Sequence, residues 1–213
     1  MRGTRILVVL SALLLLTMLR TEAAAATAEE FYRNALRYEN IHAFAATCQS
    51  AHETGFWTSA LWKNAQNGAG IKADKRWIKS GRPYVRRNSK EVVNGKTVSR
   101  VSNFRKYTDL SEFLVDYNAK ITRDYPLAAK HSDTVWGYFA SLRKGRYGSW
   151  ATTPRYFEYL SDKAVRLAPK LLGIEWRKQL LTEYKQAVAR GLLSKNEIAV
   201  VEKKLKAAGI ATN

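Results

Sequence analysis

Cysteine and histidine are scarce in this chain. Its 213 residues include one cysteine, Cys48, and three histidines. A single cysteine cannot close an internal disulfide, and so few cysteines and histidines are a poor supply of zinc ligands. These shortages exclude a disulfide scaffold and a zinc module, and we expect a protein that uses no metal or other cofactor.

Acidic residues are also few. The chain has 18 Asp and Glu against 36 Lys and Arg, and its formal net charge is +18. Hydrophobic residues make up 46% of the chain and aromatic residues 11%, which is ample for a packed core and excludes global disorder. Basic chains often bind nucleic acid, but no nucleic-acid-binding motif accompanies the charge here. We therefore expect an anionic partner other than nucleic acid.

Long hydrophobic runs are confined to the N-terminus. Two arginines precede the 13-residue run Ile6–Met18, and the small residues Ala23–Ala26 follow it. This pattern is typical of a secretory signal peptide over residues 1–26, cleaved after Ala26. No later stretch approaches the roughly 20 apolar residues of a membrane helix. The sequence predicts an exported protein of the periplasm, cell wall or extracellular space, with no membrane segment after cleavage. An uncleaved signal anchor is the alternative.

Helical patterns flank a strand-like middle. An apolar stripe at helical spacing runs from Ile41 to Cys48 and ends near Gly55. Between residues 72 and 106 such stripes stop, and Asn94-Gly95 between β-branched residues is the strongest short-range signal of a hairpin. Further helices are indicated by capping patterns and apolar stripes at Asp109–Glu112, Val135–Leu142, Thr153–Pro154, Glu175–Arg190 and Ser194–Glu197. We predict an α+β fold that is mainly helical, with Cys48 as a small core residue.

Carboxylates are the best candidates for catalysis in this sequence. None of the three histidines has a nucleophile motif beside it, and the sequence has no phosphate loop. Glu53, by contrast, ends an apolar helix and is soon followed by Phe56 and Trp57. Aromatic surroundings would desolvate the carboxyl and raise its pKa, as the general acid of a glycosidase requires. The alternative is a solvated glutamate at a helix terminus.

Several sequence blocks fall in a recognisable order. They are Ala46–Phe56, Asn67–Ala73 with Trp77, Lys90–Gly95, Phe104–Tyr107, Asp116–Tyr117 and Ala151–Tyr156. In this order and spacing they resemble the glucosaminidase domain of glycoside hydrolase family 73, over roughly residues 30–170. The presence of five or six blocks in order, with a hairpin between two glutamates, makes the resemblance specific.

The resemblance implies a lysozyme-like helical body with a small, mobile β-hairpin lobe. Family members are peptidoglycan hydrolases, usually endo-β-N-acetylglucosaminidases, so the implied partner is a peptidoglycan glycan strand. Glu53 falls on the family's general acid and Glu91 on its second carboxylate. Glu91 would either activate water or stabilise the oxocarbenium-like transition state, and assistance by the substrate's own N-acetyl group is a third route. From the residues alone, a surface glutamate among Lys and Arg is the favoured interpretation of Glu91.

Six residues in or near these blocks are candidates for substrate binding: Phe56, Trp57, Lys72, Trp77, Tyr147 and Trp150. Trp150 stands where the family commonly has a tyrosine close to the acid, so we expect no catalytic tyrosine here. Residues 72–106 contain twelve basic residues against two acidic ones. We expect this lobe to face the anionic groups of a cell wall.

The predicted domain order is a catalytic domain over residues 27–173 and a C-terminal helical hairpin over residues 174–213. We expect the hairpin to be an accessory element outside the catalytic groove. A non-catalytic peptidoglycan-binding or structural protein that retains the fold is the alternative function. The sequence does not specify the bond cleaved, the type of wall or the oligomeric state.

Overall fold

The computed structural model describes residues 27–93 and 96–212, and for residues 90–93 and 96–97 it describes the backbone alone. The predicted signal peptide and the predicted Asn94-Gly95 turn lie outside these residues. The described chain is mainly helical and contains a two-stranded antiparallel sheet, which confirms the predicted α+β class.

In chain order, the described elements are long helices, short connecting helices and one pair of strands. They are α1 (residues 27–35), α2 (Ala43–Glu53), α3 (Ala60–Ala65), α4 (Lys75–Lys79), β1 (Tyr84–Val93), β2 (Lys96–Arg105), α5 (Leu110–Asp124), α6 (Pro126–Lys130), α7 (Val135–Ser141), α8 (Tyr156–Leu171), α9 (Trp176–Ala189) and α10 (Lys195–Ala207). The long helices follow the predicted apolar stripes. The short helices α3, α4 and α6 were not predicted, because fewer than two turns leave no clear periodicity.

The core is built around α2 and α7. Residues 44–51 of α2 are all buried, and so is every residue of α7. Cys48 is fully buried within α2, which confirms its prediction as a core residue, and burial raises the pKa of its thiol. The buried part of α2 also includes the polar Gln49 and Ser50, so both need hydrogen-bond partners inside the protein.

Side-chain caps fix several helix boundaries. The Asp109 carboxylate accepts the backbone N–H of Glu112 at 2.8 Å at the start of α5. Ser194 and Glu197 form the predicted capping box of α10. Thr153-Pro154 predicts a helix that begins at Pro154, whereas α8 begins two residues later, at Tyr156. The Thr153 hydroxyl accepts the N–H of Arg155 at 3.4 Å, in the turn that precedes the helix.

The predicted hairpin is present and is longer than its β-branched segments indicate. Strands β1 and β2 pair in register from Tyr84 with Arg105 to Val93 with Lys96. Its base is held to the helical body by backbone hydrogen bonds from Ala73 N–H to the Asn103 carbonyl (2.9 Å) and from Arg105 N–H to the Ile71 carbonyl (2.9 Å). These bonds fix the base of the lobe against the segment that follows α3.

The two C-terminal helices pack on the body through α7 and α8. The indole N–H of Trp136 donates to the Leu180 carbonyl at 3.0 Å. The buried Glu183 carboxylate accepts the backbone N–H of Val135 at 2.7 Å, and it lies 3.1 Å from His42 Nε2. Within residues 27–93 and 96–212, the helices lack the combination of length and apolarity that a bilayer crossing needs.

Candidate active site

Glu53 is the last residue of α2, and an unusual turn follows it. Gly55, Phe56 and Trp57 have φ angles of 58°, 57° and 60°, all in the left-handed region. For the two aromatic residues this costs about 1–2 kcal/mol each. The turn is held by bonds back to α2, from Phe56 N–H to the Ala51 carbonyl (2.8 Å) and from the Trp57 indole N–H to the Ser50 hydroxyl (2.9 Å). The end of α2, and with it Glu53, is therefore fixed in place.

A chain of buried hydrogen bonds ends on the Glu53 carboxyl. The Tyr156 hydroxyl donates to Glu53 Oε1 at 2.6 Å, and the Gln49 amide donates to the Tyr156 oxygen at 2.9 Å. The Tyr117 hydroxyl donates to the Gln49 carbonyl oxygen, so its own oxygen accepts from Tyr138 at 2.9 Å. Every donor in this chain points toward Glu53. Because Oε1 is occupied as an acceptor, a proton on the carboxyl is favoured on Oε2.

The surroundings of Glu53 raise its pKa. Burial raises the pKa of the carboxyl to about 7, and hydrogen bonds from Tyr156 and Trp150 oppose part of this rise. Tyr156 keeps its own proton, because burial and the Glu53 charge raise the pKa of its hydroxyl well above the usual value. Glu53 can therefore carry a proton near neutral pH and donate it, which is the protonation state that a general acid needs.

A glycine loop leaves space beside the second oxygen of Glu53. Gly70 has φ +63°, and a Cβ built on it would lie 3.6 Å from Glu53 Oε2. The loop is held by Asn67, whose amide donates to the carbonyls of Ile71 and Arg105 at 2.9 Å each and whose oxygen accepts the N–H of Ile71 at 2.9 Å. A substrate oxygen can approach Oε2 past Gly70, where a side chain would be in contact with the carboxyl.

Glu91, the predicted second carboxylate, lies on β1 opposite Val98. In the alternation of this strand, position 91 belongs with positions 85, 87 and 89, which are half-buried, whereas positions 84, 86 and 88 are exposed. The Glu91 side chain lies outside the described part of the structure. Its role stays a prediction.

The six predicted substrate-binding residues fall into different environments. Trp57 and Trp77 are only 4% exposed, so their rings offer little surface for stacking on a sugar, and their role in substrate binding stays a prediction. Phe56 is half-buried and packs under the cationic groups of Lys163 and Arg166, whereas Lys72 is exposed near the base of the hairpin. Tyr147 is 83% exposed. Trp150 is half-buried and lies close enough to Glu53 to lower the pKa of its carboxyl, so it is the candidate that the fold brings to the acid.

Tyr156, and the residues that follow it in the hydrogen-bond chain, were not predicted as site residues. Tyr156 was part of a recognised sequence block but was not singled out. Gln49 could have been predicted to take part in a buried hydrogen bond, because an amide in the middle of an apolar helical stripe needs a buried partner. The sequence did not indicate a role in the site for Tyr117 or Tyr138, since tyrosine is common on apolar helix faces.

Comparison with known proteins connects this geometry to a family. The family model described as mannosyl-glycoprotein endo-beta-N-acetylglucosaminidase matches residues 29–168. No curated protein is a significant match to the chain.

Solved structures share the fold. A peptidoglycan hydrolase mutant from Sphingomonas sp. A1 is 24% identical, with a TM-score of 0.53, covering 75% of this chain and 98% of its own. The catalytic domain of the autolysin Auto from Listeria monocytogenes is 21% identical, with a TM-score of 0.53 and coverage of 68% and 82%. A truncated glycoside hydrolase domain from Salmonella typhimurium is 24% identical, with a TM-score of 0.50 and coverage of 68% and 95%.

These likenesses confirm the predicted lysozyme-like helical body with its β-hairpin. The family match covers all of the sequence blocks, including Glu53 and the Gly70 loop. The chain therefore belongs to the glucosaminidase family and is a glycosidase.

Proposed function

We propose that the protein is an exported peptidoglycan hydrolase that cleaves the glycan strand as an endo-β-N-acetylglucosaminidase, with Glu53 as its general acid. The observation that carries the proposal is the placement of the Glu53 carboxyl, which accepts a hydrogen bond from Tyr156, has Gly70 beside its second oxygen, and is buried enough to raise its pKa to about 7. The family match supports the reaction class. The structural relatives that are peptidoglycan hydrolases support the substrate.

In the proposed reaction, Glu53 donates its proton to the oxygen of the glycosidic bond that breaks. The departing sugar then leaves as a neutral alcohol, and the ring carbon develops oxocarbenium character. This carbon is stabilised either by the negative charge of Glu91 or by a lone pair of the neutral acetamido carbonyl oxygen of the substrate, which bonds to it. Water completes the reaction, and its proton goes to Glu91 if attack is direct or back to Glu53 if an intermediate forms first.

The stereochemistry of the product separates these routes. Direct attack by water inverts the anomeric carbon, whereas an intermediate formed with Glu91 or with the acetamido group leads to retention. NMR of the first-formed reducing sugar gives the answer. Between the two retaining routes, a trapped glycosyl-enzyme adduct on Glu91 would identify the carboxylate as the nucleophile.

The assignment of Glu53 is tested by Glu53→Gln. Loss of a general acid lowers the rate by about 10²–10⁴-fold, so we expect a folded variant that is almost inactive on purified sacculi. Glu175→Gln is the matched control, because its carboxylate is 68% exposed at the start of α9. Near-normal turnover by a well-folded Glu53→Gln protein would contradict the assignment.

The bond is identified by mass spectrometry of the digested strands after reduction. We expect reduced N-acetylglucosamine ends. Reduced N-acetylmuramic acid ends would contradict the proposed bond specificity, and a wild-type protein that binds sacculi without releasing any ends would be the non-catalytic wall-binding alternative. Export is tested separately by sequencing the N-terminus of the mature protein, which we expect to begin at Thr27.

A further inference from the structure

A cavity of about 800 Å³ lies beside the hairpin base, and Glu53 is not among its lining residues. Its wall contains six Arg and Lys side chains and three Asp side chains, together with Trp77 and Tyr147. Both of these aromatic residues are sequence-predicted substrate-binding residues. The reaction proposed above uses none of the groups in this wall.

The three carboxylates of the wall are already paired within the protein. Arg105 binds both oxygens of Asp116 at 2.8 Å and reaches Asp74 at 3.0 Å. Lys120 and Arg123 pair with Asp124 at 2.9 and 2.7 Å, and their hydrogen bonds lower the Asp124 pKa to about 2 against the effect of burial. The three aspartates of the wall are therefore neutralised by Arg105, Lys120 and Arg123. The other cations of the wall have no partner among these aspartates.

Arg76 and Arg146 are these remaining cations. Both are exposed, and neither forms an ion pair with a side chain that the structure describes. Arg82 is already engaged, since it pairs with Glu112 at 3.0 Å and stacks on Trp77 with its guanidinium carbon 3.6 Å from the ring centroid. Among the described side chains, the cavity thus presents two guanidinium groups that have no carboxylate partner.

Arg146 and Tyr147 are held at the cavity because the backbone just before them passes close to the Tyr125 ring. A Cβ on Gly145 would lie 2.4 Å from the Tyr125 ring, so only glycine allows the chain to pass this closely. The Arg146 N–H then donates to the Asp124 carbonyl at 2.7 Å. The two side chains project from an anchored segment.

The cavity is next to the proposed reaction centre. Lys120 Nζ lies 5.7 Å from the centroid of the Trp150 ring, and the Trp150 side chain is close enough to Glu53 to lower the pKa of its carboxyl. Trp150 therefore lies near both the acid and a residue of the cavity wall. A polymer bound at Glu53 and continuing past Trp150 would bring its substituents to Arg76 and Arg146.

We propose that this cavity binds a carboxylate of the peptide attached to the glycan strand, with Arg76 and Arg146 as the recognising groups. The inference rests on the proposed function. A guanidinium recognises a carboxylate through paired hydrogen bonds, and the exposed Tyr147 ring offers apolar surface to a peptide. A peptide carboxylate is the occupant to which we commit, because the substrate of the proposed reaction itself carries peptides, and phosphate, which guanidinium groups also bind, is an arm of the test.

The test measures binding in the Glu53→Gln background, so that it does not depend on turnover. Co-sedimentation is compared for native sacculi and for sacculi whose carboxyl groups have been converted to amides. The variant is Arg76→Gln with Arg146→Gln. The matched control removes two exposed cations from the C-terminal helices, Lys185→Gln with Lys195→Gln.

We expect the arginine variant to bind native sacculi about tenfold or more weakly than the control does, and to bind amidated sacculi equally well. Equal weakening on both materials, or no weakening, would overturn the inference. Inorganic phosphate is the third arm. If it displaces native and amidated sacculi alike through these arginines, the cavity is a phosphate site and the inference is wrong.

The outcomes for the cavity and for the reaction are separable. Arginine-dependent binding of native sacculi, combined with an inactive wild-type enzyme, would contradict the proposed function and support the cavity assignment. Hydrolysis by the wild type, with equal binding of native sacculi by the arginine and control variants, would support the proposed function and contradict the cavity assignment. A protein that binds neither kind of sacculi contradicts both.

Discussion

At the scale of single residues, the protonation of Glu53 links function to stability. Its pKa is about 7 in the folded chain, against an ordinary value of 4.5. Between these pH values the folded protein holds a proton that the unfolded chain has released. The free energy of unfolding therefore falls as pH rises through this window, by up to about 3 kcal/mol. The acid that the proposed reaction needs is a source of instability above neutral pH.

We expect Glu53→Gln to stabilise the protein at pH 8, because glutamine has no charge to desolvate. The gain should approach the same 3 kcal/mol, about the size that linkage gives, and should shrink toward zero near pH 4. Urea denaturation of both proteins at the two pH values measures it. Glu175→Gln should show no such pH dependence, and an equal effect of Glu53→Gln at both pH values would contradict the role of burial.

The hydrogen bond from Tyr156 gives a second prediction. This bond favours the ionised carboxylate and lowers the Glu53 pKa, so its removal in Tyr156→Phe should raise that pKa further. Because the acid acts in its protonated form, the alkaline limb of the kcat profile should move to higher pH. We also expect about 1–3 kcal/mol of lost stability, since the Gln49 amide loses its acceptor.

Profiles of kcat against pH for the wild type and Tyr156→Phe check this prediction. Tyr159→Phe is the control, because Tyr159 lies on the same helix and stacks on His52 at 5.4 Å without touching Glu53. An alkaline limb that stays in place, or that moves to lower pH, would show that Tyr156 does not set the pKa of the acid.

At the scale of elements, the hairpin could be predicted from the sequence, whereas the turn after α2 could not. Asn94-Gly95 between β-branched residues predicts two paired strands, and both are present. By contrast, no residue preference predicts Phe56 and Trp57 at positive φ. Their conformation is imposed by bonds to Ser50 and Ala51 and by burial of the Trp57 ring, which are tertiary contacts. This tertiary origin is why the sequence alone did not indicate that the Trp57 ring is buried in the core.

The base of the hairpin is tied to the body by one buried cation. The Arg105 side chain is 6% exposed and binds Asp116, Asp74 and the Lys72 carbonyl. Its guanidinium also lies 4.4 Å from the centroid of the Trp77 ring. These contacts fix the base of the hairpin against α5 and the residue that caps α4.

We expect Glu91→Gln to lower kcat much more than it weakens substrate binding. A carboxylate on a lobe that must close acts in the transition state, so its loss is seen in turnover at saturation. Asn88→Ala, which changes an exposed residue of the same strand, is the control. If Glu91→Gln binds sacculi much more weakly while kcat is unchanged, Glu91 is a binding residue.

At the scale of the whole molecule, residues 174–212 complete the core on the side of α7 and α8. Trp176, Leu180, Tyr184 and Ala187 of α9 are buried, as are Val201 and Leu205 of α10. The apolar stripes of both helices were visible in the sequence. Their buried polar contacts were not, because Glu183 meets His42 and Val135 across more than forty residues of chain.

The last prediction is that this C-terminal hairpin stabilises the fold and takes no part in catalysis. Truncation after Gly173 removes the partners of the Trp136 indole and the Val135 N–H, so we expect a large fall in melting temperature. If the truncated chain does not fold, Leu180→Ala tests the same idea, with an expected loss of about 2–5 kcal/mol against a smaller one for the partly exposed Val188→Ala. Specific activity of the folded fraction should be unchanged, because the described contacts of these helices are with the body and not with Glu53, Gly70 or Trp150. Lost activity at unchanged thermal stability would instead place the hairpin in substrate handling.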